Sequence, residues 1–273
     1  MSLGPFDMTG GPFLQLYILL LVATVIAGFV IPRWLRPDGR SARVTDTRQL
    51  ALLAGGASRF ADAVVMRLLA ARALVMIDKK SFHVAARGAG DSPADRSILA
   101  IPGDIRWSMI ETALKPYAQP VRSKLVAAGL MMDDGLMLQM RFLQTLPYAL
   151  LLMFGATKLL VGVERDKPVG FLTGLLILTA VFALIRWTAV DRKTRTGHDV
   201  LARARSDAER LRRAPTANET DVAVALFGTS VLVGSDWGDF HAMRTASSGD
   251  SGGGSSDGGG SGCGGGGCGG CGG

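Results

Sequence analysis

Three cysteines stand near the end of the chain: Cys263, Cys268 and Cys271, the only ones in its 273 residues. Cys268-Gly-Gly-Cys271 has the two-residue spacing that lets two thiolates share a soft metal ion such as Zn(II) or Cu(I), and Cys263 can add a third. A closed zinc site takes four ligands, and this segment supplies three. His241 is the nearest imidazole upstream, reached only through a flexible tether. Without apolar or aromatic support, a bound metal would have to order a glycine-rich loop unaided, which keeps affinity modest. The same thiols are open to oxidation or enzymatic modification, while a prenylation box is absent because only two residues follow Cys271. Three readings stand together: a substrate for a modifying enzyme, a metal or thiol-exchange site, and a solvated tail without chemistry of its own.

Other reactive side chains are scattered. His83, His198 and His241 read as surface or packing residues, since no acid or nucleophile motif accompanies them. No Walker loop is present, and the glycine-rich stretch has neither a strand before it nor a helix after it to cradle phosphate. The chain reads as non-enzymatic and without a resident cofactor. Lys158 is the one cation inside an apolar run. An ionisable residue there is a functional candidate, but it lies close enough to the end of the run to snorkel to headgroups or to meet Glu164 or Asp166.

The elements that carry these residues are legible from composition. Residues 247–273 are almost wholly Gly, Ser, Asp and Cys, which offers nothing to pack and predicts a disordered tail. Upstream, long apolar runs alternate with arginine-rich segments, the pattern of a polytopic membrane protein. Residues 12–32 form the first predicted transmembrane helix, following an external N-terminus at 1–11 that holds no Lys or Arg. A cleaved signal peptide would need basic residues before the run, and there are none. Residues 146–163 and 169–185 form the second and third spans, joined by the tight, charge-balanced turn Glu164-Arg-Asp-Lys-Pro168.

Charge sets the orientation. Residues 33–144 carry 17 Lys/Arg against 10 Asp/Glu, and residues 186–213 carry 9 against 4. With three spans both basic segments fall on one side, which the positive-inside rule makes the cytoplasm of a bacterial inner membrane. Residues 186–246 read as cytoplasmic amphipathic or interfacial helices. The apolar stretch 221–234 within them is too short to cross by the usual length rule and reads as an interfacial or domain-packing helix, although crossing would export the tail. Lacking cysteine before position 263, the chain is no disulfide-built ectodomain.

The cytoplasmic region 40–140 is long enough for a small helical domain. Thr45 and Asp46 can cap a helix that Gly55-Gly56 stops, and Ser58 can cap a second. Leu74-Val-Met-Ile77 and Phe82 to Ala85 read as a hairpin turned at Lys79-Lys80. Asp91-Ser-Pro-Ala opens another helix, and one near Ser108–Tyr117 ends before Pro120. Leu68-Leu-Ala-Ala-Arg-Ala-Leu-Val-Met-Ile-Asp78 resembles Leu125-Val-Ala-Ala-Gly-Leu-Met-Met-Asp133, suggesting two tandem winged-helix-like units. Arg59, Arg67 and Arg72 could line a nucleic-acid face, but no Asn or Gln accompanies them and Asp62 shares the surface, so a protein contact is the stronger expectation.

Five stretches together resemble a family of uncharacterised bacterial membrane proteins: Leu53-Ala-Gly-Gly56, Gly155-Ala-Thr-Lys-Leu-Leu-Val-Gly162, Arg165-Asp-Lys-Pro-Val-Gly170, Val224-Ala-Leu-Phe-Gly228 and the Gly/Cys terminus. The resemblance covers nearly the whole chain. It implies a three-span body with a low-complexity tail of variable length and no established activity. The family's association with peptide-modifying iron oxygenases implies a modified-peptide role. The expected partners are the lipid bilayer and a modifying enzyme or protein that meets the cytoplasmic domain.

Overall fold

The computed structural model describes residues 10–39, 44–164, 170–188, 190–213, 215–216 and 219–250. In chain order the elements are α1 (Gly10–Leu35), α2 (Thr47–Ala70), β1 (Leu74–Asp78), β2 (Ser81–Val84), α3 (Pro93–Leu99), β3 (Ile105–Arg106), α4 (Trp107–Ala127), α5 (Asp134–Glu164), α6 (Gly170–Thr188), α7 (Arg195–Asp207), α8 (Glu209–Arg213), α9 (Thr220–Phe227) and α10 (Gly238–Asp250). A 3-10 turn at Thr229–Leu232 joins the last two helices. The protein is mainly helical, as its composition predicts. Residues 1–9, most of the turn after Glu164 and all three cysteines lie outside the described residues.

Helices α1, α5 and α6 are long and apolar enough to cross a membrane. They pack against one another through Phe13, Tyr17 and Leu21 of α1, Leu151 of α5 and Leu172 of α6. Gly155 lets α5 approach closely: a Cβ there would sit 2.7 Å from the Tyr17 ring and 2.8 Å from Leu176. Most of their apolar surface points outward, with Leu19, Ile26, Met153, Leu160, Phe171 and Leu184 exposed. Such a surface needs lipid rather than water around it. Helix α5 begins at Asp134, well before the expected span at Leu146, and runs through Pro147. The second span is therefore rooted in the domain by continuous helix.

The remaining elements form a single domain around α2. Asp46 caps α2 by accepting from the Arg48 N–H at 2.9 Å. Gly55 and Gly56 break it into two helical pieces as expected, and Gly56 takes φ +69°, a conformation that only glycine holds without strain. The hairpin β1–β2 forms as predicted and is extended by the short β3, giving the antiparallel order β1-β2-β3. Ser92 and Asp95 form a reciprocal capping box around the start of α3.

Two expectations change here. Helix α4 does not end before Pro120 but contains both Pro116 and Pro120. The prolines are four residues apart on one exposed face, where water can satisfy the carbonyls they leave without a partner. The apparent repeat is also smaller than a domain. In both copies a helix ends in a Schellman cap: Ala73 N–H donates to Leu68 O with Arg72 N–H to Leu69 O, and Leu130 N–H donates to Leu125 O with Gly129 N–H to Val126 O. Arg72 and Gly129 hold the matching left-handed positions, at φ 54° and 72°. After the first cap comes the hairpin. After the second comes only an isolated bridge between Met131 and Lys193, and then α5. Sequence similarity therefore records a shared helix terminator and not, among the described residues, a second hairpin-bearing unit.

Residues 221–234, expected as an interfacial or domain-packing helix, pack on the domain: α9, the 3-10 turn and α10 complete its core. Val224, Leu226, Leu232 and Phe240 are fully buried with Phe60, Phe82 and Ile110. The apolar stretch at 221–234 is thus a packed corner rather than a crossing. Gly228 turns it at φ +90°, and a Cβ there would come within 3.0 Å of the Arg59 guanidinium. One domain built from the chain before α5 and the chain after α6 must lie on one side of any bilayer that the three long helices cross.

Candidate functional site

Two polar clusters secure this arrangement, one at the root of the tail and one where the spans enter the domain. At the tail root, α10 presents Arg244 to α2. Its Nε donates to Asp62 Oδ1 at 2.6 Å, Nη2 to Ser58 Oγ at 2.7 Å and Nη1 to Ser247 Oγ at 3.0 Å. The guanidinium carbon lies 4.0 Å from the Trp107 ring centroid, and Trp107 donates its own Nε1–H to Glu111 at 2.7 Å. Arg244 and Asp62 are both buried. Burial pushes the Asp62 carboxyl above its ordinary range, and the attraction of Arg244 recovers only part of that. Asp62, expected on an exposed face, is instead the interior half of an ion pair.

At the junction three connections converge. Thr194 N–H donates to Leu130 O at 3.1 Å, and Met132 N–H to Arg192 O at 2.8 Å. Gly39 N–H donates to Thr196 Oγ1 at 3.0 Å. Gly39 and Gly197 permit this close approach: a Cβ would sit 1.9 Å from Gly129 O in the first case and 2.2 Å from Leu130 O in the second. Asp191 gathers His198 Nε2 at 2.6 Å, Arg36 Nη2 at 3.4 Å and the Lys193 N–H at 3.1 Å. Burial raises the Asp191 carboxyl, but its hydrogen bonds with His198 and the Lys193 backbone outweigh this and hold it below the usual range. His198 therefore has the paired acid that was not visible in sequence.

The remaining sequence candidates are dispersed. Lys158 Nζ lies 5.1 Å from the Phe13 ring centroid, so α1 supplies an aromatic face for the one cation within the apolar run. His83 Nδ1 is 3.6 Å from Asp104 at the surface, and His241 Nδ1 is 3.0 Å from Thr229 Oγ1. Of the arginines read as a nucleic-acid face, Arg67 pairs with Asp95 and Ser92 and Arg59 lies against Gly228, whereas Arg72 caps a helix through its backbone and is exposed. Among the described residues, no group of three or more His, Cys, Asp or Glu is placed to hold a metal. Cys263, Cys268 and Cys271, with any Zn or Cu site they form, lie outside those residues.

Sequence reasoning missed Arg244 and Asp191. Arg244 had one signal, a lone cation directly after Phe240 and Met243 in an apolar rhythm, but Asp62 lies 182 positions away. No protein-family model, curated protein or solved structure matches the chain.

Proposed function

We propose that this is a non-enzymatic platform of the bacterial inner membrane that presents its Gly/Cys tail to a modifying enzyme or a binding partner. Three spans hold it, the N-terminus lies outside, and the domain and tail lie in the cytoplasm. The observation that carries this reading is the Arg244 clamp. It fixes the last described helix to the domain, so the thiol-bearing segment departs from a defined point. The excess of Lys and Arg in the two segments that build the domain supports the cytoplasmic assignment. Family membership, with its modified-peptide implication, belongs to the same proposal.

Membrane-impermeant thiol labelling tests it directly, because the tail holds the only cysteines. Intact spheroplasts should not label, any thiols still free should label only after lysis, and the native protein's intact mass should exceed that of the unmodified chain. Three freely alkylatable thiols at unmodified mass would remove the modification reading. Uptake of Zn(II) or Cu(I) by the full chain in equilibrium dialysis, lost when all three cysteines are replaced by Ser, would favour the metal reading instead.

A second reading, a membrane-tethered regulator or interaction module, is favoured by the hairpin. Strand β1 is an edge strand with Val75 and Ile77 exposed beside Lys79 and Lys80, a surface suited to an added strand or apolar partner. This is what remains of the winged-helix-like comparison. Its test needs the full chain, because a fragment ending at 144 would lack Val224, Leu226, Leu232 and Phe240 from its core. Val75→Ser with Ile77→Ser should abolish partner crosslinking, and salt-dependent DNA binding by the full chain would instead reopen the nucleic-acid version.

A further inference from the structure

The arginines beside the junction outnumber their protein partners. Arg122 of α4 pairs through Nη2 with Asp134 at the start of α5. Arg141 lies seven residues further along α5, on the same face, about 10 Å away along the axis. Arg192 is tied to this place by its carbonyl, which accepts from the Met132 N–H. Among the described residues, the Nε atoms of both Arg122 and Arg141 are buried without a hydrogen-bond partner. The neighbouring carboxylate, Asp133, is turned to the Gly135 N–H at 3.4 Å. Partial desolvation of the otherwise exposed Arg192 side chain, and then the charges of Arg122 and Arg141, hold its pKa below its ordinary value, with Asp134 opposing them.

The depth of this cluster is marked. Phe142, adjacent to Arg141, packs edge-on against Trp187 at the end of α6, with ring centroids 5.3 Å apart. An aromatic pair at the end of a membrane span lies at headgroup level. A cluster of guanidinium groups there, with unused donors among the described residues and only Asp134 paired to it, is complementary to a phosphate.

We infer that Arg122, Arg141 and Arg192 form a binding site for the phosphate of an anionic phospholipid headgroup, seated between the domain and the spans. The site rests on reading α5 and α6 as membrane helices and is independent of the tail's role. It would fix the domain's height above the bilayer, since one lipid would contact elements from both bodies.

Native mass spectrometry of the full chain tests it, in neutral detergent with phosphatidylglycerol or phosphatidylcholine as the added lipid. The wild type should retain phosphatidylglycerol in preference to phosphatidylcholine. Arg141→Gln with Arg192→Gln should weaken phosphatidylglycerol retention at least about tenfold, the loss expected from removing two charge-assisted contacts. Arg87→Gln, which removes an exposed cation from a loop of the domain, should leave it unchanged. Thermal unfolding in phosphatidylcholine alone checks that the double variant is folded. If it is not, the single Arg192→Gln variant carries the test, because that side chain is exposed. Retention by a folded variant equal to that of wild type would overturn the assignment. Displacement of the lipid by low-millimolar inorganic phosphate would make this a soluble-phosphate site and would likewise overturn the lipid assignment.

Discussion

The tail root and the junction each depend on one partly or wholly buried aspartate, and the two are perturbed in opposite directions. Asp62 meets one guanidinium in a buried setting, and desolvation prevails. Asp191 is also desolvated but receives a backbone N–H, an imidazole and a guanidinium, and its charged form is favoured. The difference shows that burial alone does not fix the state of a carboxylate. The number and geometry of its hydrogen bonds decide whether the cost of leaving water is recovered. One cluster is thus a latch whose halves depend on each other, and the other is a network with several supports.

The largest effect should come from separating the halves of the latch. Asp62→Ala leaves Arg244 buried without its carboxylate and should destabilise the domain by about 3–5 kcal/mol, read by thermal or chemical unfolding in detergent. Replacing both, as Asp62→Leu with Arg244→Met, should recover most of that loss, because the pair's desolvation cost disappears with its charges. A double variant as unstable as the single would show that the ion pair is a net source of stability, contrary to the direction of the Asp62 shift.

At the junction the backbone contact should matter more than any one ion pair. Gly197→Ala places a methyl against Leu130 O and should cost about 1–3 kcal/mol by forcing the two connections apart. Hydrogen exchange should then accelerate around residues 129–132 and 191–198 while residues 58–66 stay protected. Uniform acceleration would mean that the clusters open together.

Acid should distinguish the aspartates without mutation. The folded pKa of Asp191 is depressed, so its stabilisation is present above the unfolded value of about 3.9 and is lost as pH falls through the lower folded value. Asp62 has a raised folded pKa, so its protonated form favours the fold, and stability falls as pH rises from about 3.9 through the folded value. Exchange at 191–198 should therefore rise below about pH 4 before exchange at 58–66 does. The opposite order would reverse the comparison. The smallest effect is expected from Asp191→Asn in a His198→Gln background. The two changes should cost less together than the sum of each alone, with a coupling of about 0.5–3 kcal/mol.

Much of the architecture was legible because it depends on local chemistry. Apolar runs of membrane-spanning length, the Asp46 cap, the Gly55-Gly56 break and the Lys79-Lys80 hairpin are each specified by neighbouring residues. The repeat was legible as a pattern but not as a structure: Leu-Leu-Ala-Ala-Arg and Leu-Val-Ala-Ala-Gly encode how a helix stops, and the chain beyond each stop is free to differ.

By itself, then, the sequence determined that three helices suit a bilayer, where the domain's helices start and break, and that all thiols lie in a glycine-rich end. Only the tertiary structure decided that residues 221–234 belong to the core, that Asp62 is interior and bound to Arg244, and that Asp191 meets His198 and Arg36. The reason is physical. Capping, hydrophobic run length and glycine conformations act over a few residues. A buried ion pair joining positions 62 and 244 depends on how two distant helices pack, and no nearby residue records it.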